Sequence, residues 1–418
     1  MAFRGAAYKL REMQGPVIEL DLGAYAANLR LLSTLGGAIP LMPVIKANAY
    51  GHGAVILAKF LESEFTLADM PKICVARWSE AEKLRLAGVK WPILVLSQFS
   101  KEEILASSAK EIFCYLSSEQ DFRMLLSVGA AKSKNVAGVY WHINSGMNRL
   151  GLNSGAVSER PDSLRSWIQE LGQIGIKTFG FSSHLARGEE EQEIFSSEQS
   201  RRFQLALHAL RSVWEGEDPF PQELHFSNSA GVVWKLLEGE TAFRPGILSY
   251  GTFQDLDSKK YLLSKFPALS GLKPVMQVRA PIRSIHLVKK GEGVSYGHRF
   301  VADKDRHVAC ISIGYADGIR RSLSRKIDEA SKLKFYVDGV GVDIIGTVTM
   351  DMVLVDIQSH PKLAELQKKV AEGQTVWANW LCKEQPAEVH ATELGTISYE
   401  ILCDFTERLT RRPLGGDA

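Results

Sequence analysis

The chain has 418 residues, more than one ordinary domain needs, and 45% of them are hydrophobic, enough for large cores. Lysine and arginine number 50 against 48 aspartates and glutamates, an excess of 50 − 48 = 2. So weak a field excludes a nucleic-acid binder or a protein drawn to an acidic membrane, and the expected partner is a small molecule. Five cysteines, at 74, 114, 310, 382 and 403, show no CxxC spacing, and three of them sit in apolar runs. They read as reduced core residues, with no metal site and no disulfide framework. No run of about 18 uninterrupted apolar residues suggests a membrane span. Met1 to Gln14 carries Arg4, Lys9 and Arg11 but no continuous apolar stretch, so no signal peptide is expected and the cytoplasm is the expected compartment.

From residue 17 to about 250, short apolar runs alternate with helix-like segments, the signature of an α/β fold. The expected strands lie near Val17 to Leu20, Leu41 to Ile45, Ile73 to Ala76, Ile93 to Leu96, Ile112 to Leu116, Gly138 to Ile143, Thr178 to Ser182, Glu223 to Phe226 and Gly246 to Tyr250. An eight-stranded barrel of roughly 250 residues has one strand too few for this set. Val17 to Leu20 is therefore assigned to a second domain. Trp78 to Ala87 and Glu190 to Val213 show the charged, amphipathic spacing of helices that coat a barrel, and the acidic run Glu189-Glu190-Glu191 suits a helix amino terminus. Asp255 to Lys265 is polar and charged, as a linker would be. Beyond it, Pro274 to Ile285, His307 to Gly314, Lys334 to Val337, Asp343 to Val348 and Met352 to Asp356 are β-like, without regular helices between them. The expected organisation is a (β/α)8 TIM-like barrel over 15–255 and a mostly β domain over 256–418, with residues 1–20 pairing with the latter.

The chemistry centres on Pro43-Val44-Ile45-Lys46-Ala47-Asn48-Ala49-Tyr50-Gly51-His52-Gly53, where an apolar run ends in a lysine and then glycines. A lysine at the carboxyl end of a barrel strand lies at the mouth of the fold. Desolvation there lowers its pKa, as an amine needs to form a Schiff base and then move protons. A snorkelling lysine or an ion-pair partner would give the same local pattern. Other polar strings follow later strands. Asn144-Ser145-Gly146-Met147-Asn148-Arg149-Leu150-Gly151 presents Arg149, which in isolation reads first as a surface ion-pair residue. His184 follows Thr178 to Ser182, where a lone histidine is ordinarily a satisfied structural residue. His225-Phe226-Ser227-Asn228-Ser229-Ala230-Gly231 enters an apolar helical stretch, Val232 to Leu237, whose amino terminus suits either simple capping or a phosphate. Arg244-Pro245-Gly246-Ile247 opens the last expected barrel strand. In the second domain stand Ile313-Gly314-Tyr315-Ala316-Asp317-Gly318, Thr349-Met350-Asp351-Met352 and Thr396-Ile397-Ser398-Tyr399-Glu400. The cluster Arg320, Arg321, Arg325 and Lys326 reads as a solvated loop.

Taken in order, seven of these motifs resemble those of the alanine racemase family, over a span from about Val17 to Tyr399. The resemblance implies a racemase dependent on pyridoxal 5'-phosphate (PLP) that interconverts L- and D-alanine and supplies D-alanine for peptidoglycan, working as a homodimer on a small amino-acid substrate. It implies that Lys46 holds the cofactor and is one catalytic base, with Tyr315 the other. Tyr50, Asn228, Ser229, Gly246, Ile247 and Tyr399 would serve the phosphate, and His184 would lie near the cofactor ring. Arg149 would bind the cofactor's phenolic oxygen and orient the substrate carboxylate, and Met350 would line the substrate pocket. Arg244 would face the pyridine nitrogen. Arginine does not readily give up a proton to that nitrogen, which leaves a weaker electron sink than aspartate would and favours quick reprotonation at Cα. Three positions depart from the family pattern. Many members have a lysine, carbamylated in some, at His142, an aspartate at Asn144 and a glycine at Asn148. The support of Arg149 must then differ, with His142 or Asn144 available as neutral hydrogen-bonding groups. The departures also admit a racemase of broader or different specificity, for serine, lysine or arginine. A PLP-carrier protein without turnover would need the barrel alone, and the second-domain motifs argue against it.

Overall fold

Six short runs, Ile73–Val75, Ile93–Val95, Ile112–Leu116, Val136–Asn144, Thr178–Ser182 and Glu223–His225, pair in parallel in that order. Most of their residues are buried, which is why they read as continuous apolar stretches rather than alternating ones. The structure, a computed structural model, describes residues 15–97, 99–106, 111–129, 135–188, 193–214, 219–326 and 333–414. Helices Trp78–Leu86 and Glu193–Ser212 lie where the amphipathic spacing placed them. The expectations for Met1 to Gln14 and for Glu189 to Glu191 lie outside the described residues.

Two expected strands take another form. Leu41 to Ile45 makes isolated parallel bridges, Leu41 to Phe243 and Val44 to Cys74. Gly246 to Tyr250 is not a strand; Ile247–Tyr250 is a 3-10 turn that ends at Gly251 with φ 68°. A side chain at Gly251 would put its Cβ 1.8 Å from the Lys273 carbonyl oxygen, so the turn requires glycine there. The strand role falls to the residues just before Gly246. The Met42 amide donates to the Phe243 carbonyl at 2.7 Å, the Val44 amide to Pro245 at 2.9 Å, and the Thr241 amide to Leu224 at 2.9 Å. These bonds close the ring of a (β/α)8 barrel, and they put Arg244 at the carboxyl end of its segment rather than at the start.

By contact the chain divides into two units: Asp21–Val275 with Thr396–Cys403, and the residues up to Leu20 with Met276–Gly395 and those from Asp404 on. The stretch Asp255 to Lys265, read from its charges as a linker, is a helix, Leu256–Lys265. Asp255 and Ser258 form a reciprocal capping box at its start, and Leu262 is fully buried. Its charges belong to the solvent face of an amphipathic helix, which in composition looks like a linker. The second unit is built on antiparallel strands. Met276–Val288, 13 residues long, pairs with both Trp377–Leu381 and Arg306–Ile311, so six strands close on themselves. Val17–Leu20 pairs with Met276–Val288 and with Thr410–Pro413, and buried Glu19 accepts from Arg279 and Arg412.

Because Asp255 caps a helix and not a linker, Asp255→Ala should lower unfolding free energy by about 1 kcal/mol, as measured by urea denaturation. No change would return the segment to the linker reading.

Candidate active site

Immediately after Lys46 the backbone turns left-handed for five residues, with φ of 51° at Ala47, 53° at Asn48, 57° at Ala49, 50° at Tyr50 and 80° at Gly51. Residues with a Cβ adopt this conformation at a cost of roughly 1–2 kcal/mol each, so the surrounding structure must hold it. Glu80 does much of the holding: one carboxylate oxygen accepts the Ala47 amide at 2.6 Å, the other the amides of Ala76 at 2.7 Å and Arg77 at 3.1 Å. Asn48 adds a bond from the Ala54 amide to its side-chain oxygen at 2.9 Å, and the Ala49 amide returns to the Ile45 carbonyl. The turn carries Lys46 to the end of its segment, with Nζ 6.0 Å from the centre of the Tyr50 ring. Burial lowers the lysine's pKa and Arg149 lowers it further, against the opposing pull of Glu80.

A second set of groups meets the Tyr50 ring. Tyr399, from the Thr396–Cys403 segment that belongs to the barrel unit, packs at a tilt of 52° with its ring centre 5.7 Å away, and the Tyr250 ring centre lies 5.1 Å away. The Tyr50 hydroxyl fills the space beside Gly246, where an added Cβ would come within 2.6 Å of it. Ser229 Oγ accepts the Gly246 amide at 2.8 Å and the Leu248 amide at 3.3 Å. Ile247 is fully buried in the same turn. Asn228 caps instead: its oxygen accepts the Gly231 amide and its amide donates to Leu185, so the capping reading describes its side chain. The helix it starts, Gly231–Trp234, has only four residues.

Arg244 is 2% exposed. Its Nη2 donates to the carbonyls of Ser183 at 2.6 Å and Phe226 at 3.2 Å, while Nη1 has no hydrogen-bond partner. A buried guanidinium donor left open is costly, and it marks a place for an acceptor from a ligand. Burial and the positive charges of Arg244 and Arg149 keep His184 and His142 neutral, pushing His184 well below its usual range and His142 down to about 3. Lys46, Arg149, His184 and Arg244 therefore share one cation-rich region.

Two family models cover this architecture: "Alanine racemase, N-terminal domain" matches residues 20–254 and "Alanine racemase, C-terminal domain" residues 275–413. The chain belongs to the alanine racemase family. It is 31% identical over 399 residues to an alanine racemase from Nostoc, covering 94% of each chain, and 32% identical over 407 residues to one from Xanthomonas oryzae, covering 96% of each. Among solved structures it resembles alanine racemase from Clostridium difficile, with TM-score 0.79 and 27% identity over 96% of each chain. It also resembles the Bartonella henselae alanine racemase with covalently bound pyridoxal phosphate, with TM-score 0.74 and 26% identity, covering 96% of this chain and 99% of that one.

Measured against the alanine racemase motifs, the departures around Arg149 have a geometric explanation. Asn148 has φ 58°, the conformation that the family's glycine supplies, and asparagine tolerates it better than most residues. Asn144 accepts the amides of Gly146 at 3.1 Å and Asn148 at 3.0 Å, and donates to the Asn148 side chain at 3.0 Å. His142 bonds Ser182 at 2.9 Å and stacks on Tyr115 at 5.4 Å. Neither bonds Arg149, which makes no hydrogen bond or ion pair to the described residues.

Tyr315 and Met350 belong to the other unit. There the Tyr315 amide donates to Thr349 and the Ala316 amide to Met350, both at 3.0 Å, which sets the two turns side by side. Gly314 makes this approach possible, since a Cβ there would lie 2.3 Å from the Met350 oxygen. Buried Asp317 accepts the Gly314 amide, and Arg408 bridges Asp317 at 3.2 Å and Asp351 at 2.6 Å. Sequence reading singled out neither Glu80 nor Arg408. Glu80 was accessible as an acid at the third helical position after a strand; Arg408 lies 57 residues from Asp351 and has no local signature.

Two outcomes follow from this geometry. Ala47 is exposed, so Ala47→Gly relieves left-handed strain without loss of buried surface and should raise stability by about 1 kcal/mol, whereas Ala47→Val should lower it; thermal denaturation checks both. As pH falls from about 6.5 toward 3, the unfolded chain takes up a proton that folded His142 refuses, so this residue lowers stability progressively through that window. His142→Gln should therefore flatten the acid limb of the stability–pH curve.

Proposed function

We propose that this chain is a PLP-dependent alanine racemase that interconverts L- and D-alanine, with Lys46 and Tyr315 as its two bases. The observation that carries this reading is the gathering of a desolvated lysine, the open Nη1 of Arg244 and the Tyr50–Ser229–Gly246 group at the carboxyl ends of the barrel strands, in a chain that matches the family throughout. The residues fit the cofactor: a primary amine for its aldehyde, an unfilled donor for its ring nitrogen, and hydroxyl and amide groups for its phosphate. Bound there, PLP supplies an electron sink for the pair left at Cα when the proton departs.

The protein's part is to position and to move protons. Lys46 would anchor the cofactor and take the Cα proton of the D-isomer, and Tyr315 that of the L-isomer, so that delivery from the opposite side inverts the centre. Arg149 would orient the substrate carboxylate, as its fork geometry allows. Arg244 would donate Nη1 to the ring nitrogen while keeping its own proton. Tyr50, Ser229, Gly246, Ile247 and Tyr399 would hold the phosphate, with Asn228 bracing the helix start beside Ser229, His184 near the ring and Met350 at the substrate. Tyr315 and Met350 are 41% and 51% exposed on their unit, which supports a homodimer in which they serve a partner's site. No described helix is long and apolar enough to cross a membrane, and a cytoplasmic enzyme is the proposed setting.

A second reading, racemisation of serine, lysine or arginine, draws support from Arg149, which has no bonded partner among the described residues, and from His142, Asn144 and Asn148. Deuterium incorporation at Cα over a panel of L-amino acids separates the two, with alanine expected to exchange fastest; exchange of serine or lysine without alanine would reverse the assignment. Tyr315→Phe should lose at least about 100-fold in racemisation, and parental rates would end the two-base reading. Borohydride reduction should fix the cofactor on the Lys46 peptide.

A further inference from the structure

Glu240 lies in the stretch between the Gly231–Trp234 helix and Arg244, and it is 6% exposed. One of its carboxylate oxygens accepts the amides of Phe226 and Ser227, both at 2.6 Å, and the other accepts the Ser227 hydroxyl at 2.7 Å. The same two residues are gripped on their carbonyl side by Arg244: its Nη2 reaches the Phe226 oxygen at 3.2 Å and its backbone amide the Ser227 oxygen at 3.0 Å. Every backbone polar group of Phe226 and Ser227 is thus bonded to Glu240 or Arg244. Two residues further on, Ser229 Oγ receives the Gly246 amide. A carboxylate is costly to bury, and burial raises the pKa of Glu240 while the Ser227 and Phe226 donors and nearby Arg244 pull it back down. Three donors on one carboxylate are a strong fixed brace, because bonds to an ionised acceptor are about twice as strong as neutral ones.

We propose that Glu240 is a positioning residue of the cofactor site, holding the Phe226–Ser227 segment so that the Arg244 guanidinium and Ser229 keep their mutual placement. It rests on the reading of Arg244 and Ser229 as cofactor-binding groups. Both Glu240 oxygens are engaged by Phe226 and Ser227. It acts through the acceptor that orients Arg244 Nη2, which leaves Nη1 directed by a braced carbonyl, and through the turn that carries Ser229.

The test is the affinity of the full-length protein, stripped of cofactor, for pyridoxal 5'-phosphate, followed by absorbance titration. Glu240→Ala should weaken binding about tenfold or more, since three bonds are lost and two amides are left unpaired. Glu240→Gln should rescue it to within about threefold, because the amide oxygen still accepts the two backbone donors and its NH2 can donate to the Ser227 hydroxyl. Asp121→Ala removes a smaller, half-buried carboxylate brace, a single bond from the Ser117 amide, at a loop that carries no proposed site residue, and should leave the affinity within about threefold of the parent. Parental affinity in Glu240→Ala, or an equal loss in Asp121→Ala, overturns the proposal. If Glu240→Ala is not recovered folded, Ser227→Ala carries the test: a loss of about two- to fivefold is expected and no loss overturns. Arg244→Ala, titrated in parallel, separates the layers. Weakened binding there with parental binding in Glu240→Ala sinks only the role of Glu240, whereas unchanged binding in Arg244→Ala removes the underlying reading as well.

Discussion

A lysine that must be both desolvated and reachable needs a backbone that leaves the barrel wall abruptly beside it, and the left-handed turn from Ala47 to Gly51 meets that need. The rest of the site depends on it. The turn brings the Tyr50 ring between Tyr250 and Tyr399 and its hydroxyl against Gly246, so one strained segment sets the lysine and one wall of the proposed phosphate region together. Four consecutive non-glycine residues in this conformation would relax if left alone. Glu80 prevents this by spending both carboxylate oxygens on backbone amides, one in the turn and two at the end of the neighbouring strand segment. The strain is thereby tied to the barrel frame rather than to a flexible loop.

The electrostatics of the region follow from the same economy. Lys46, Arg149 and Arg244 are cationic groups in a partly dry space, and each disfavours protonation of the histidines beside it. His142 and His184 are consequently neutral donors and acceptors rather than charge carriers at working pH. An anionic ligand is what such a set lacks, and a phosphate and a carboxylate both answer to it. The bound partner would complete the charge balance that the protein leaves open, just as an acceptor at Arg244 Nη1 would complete its hydrogen bonding.

How much of this was legible in the sequence depended on the range of the interaction. The parallel strands were visible because burial on both faces makes them apolar throughout, and the site strings were visible because each follows a strand end. Where the outcome turned on a contact with distant chain, local reading failed. Gly246 to Tyr250 looks like a strand, yet the approach of Lys273 to Gly251 turns it into a 3-10 segment. Asp255 to Lys265 looks like a linker because a helix with one buried leucine and many charges has a linker's composition. Tyr399, placed by chain order with the β domain, is counted by its contacts with the barrel. The braces Glu80, Glu240 and Arg408 were missed for the same reason: a carboxylate on a backbone amide or a guanidinium between two aspartates leaves no periodic trace.

Arg149 stands on a changed motif that fixes it by a different physical route. Where a partner side chain grips an arginine, the guanidinium is oriented directly. Here His142 is bonded to Ser182 and stacked on Tyr115, and Asn144 is bonded to Gly146 and Asn148. Those Asn144 bonds do not reach Arg149, but they fix the backbone on which it stands, with Asn148 held in the left-handed conformation one residue before it. The arginine is thus positioned by its loop rather than by a side-chain clamp. A long side chain held only at its root retains rotamer freedom of up to about 2 kcal/mol, and that freedom is lost only when a ligand carboxylate engages the fork. If Arg149 takes the substrate carboxylate as proposed, the substrate itself would do part of the ordering that a carbamate would do elsewhere in the family.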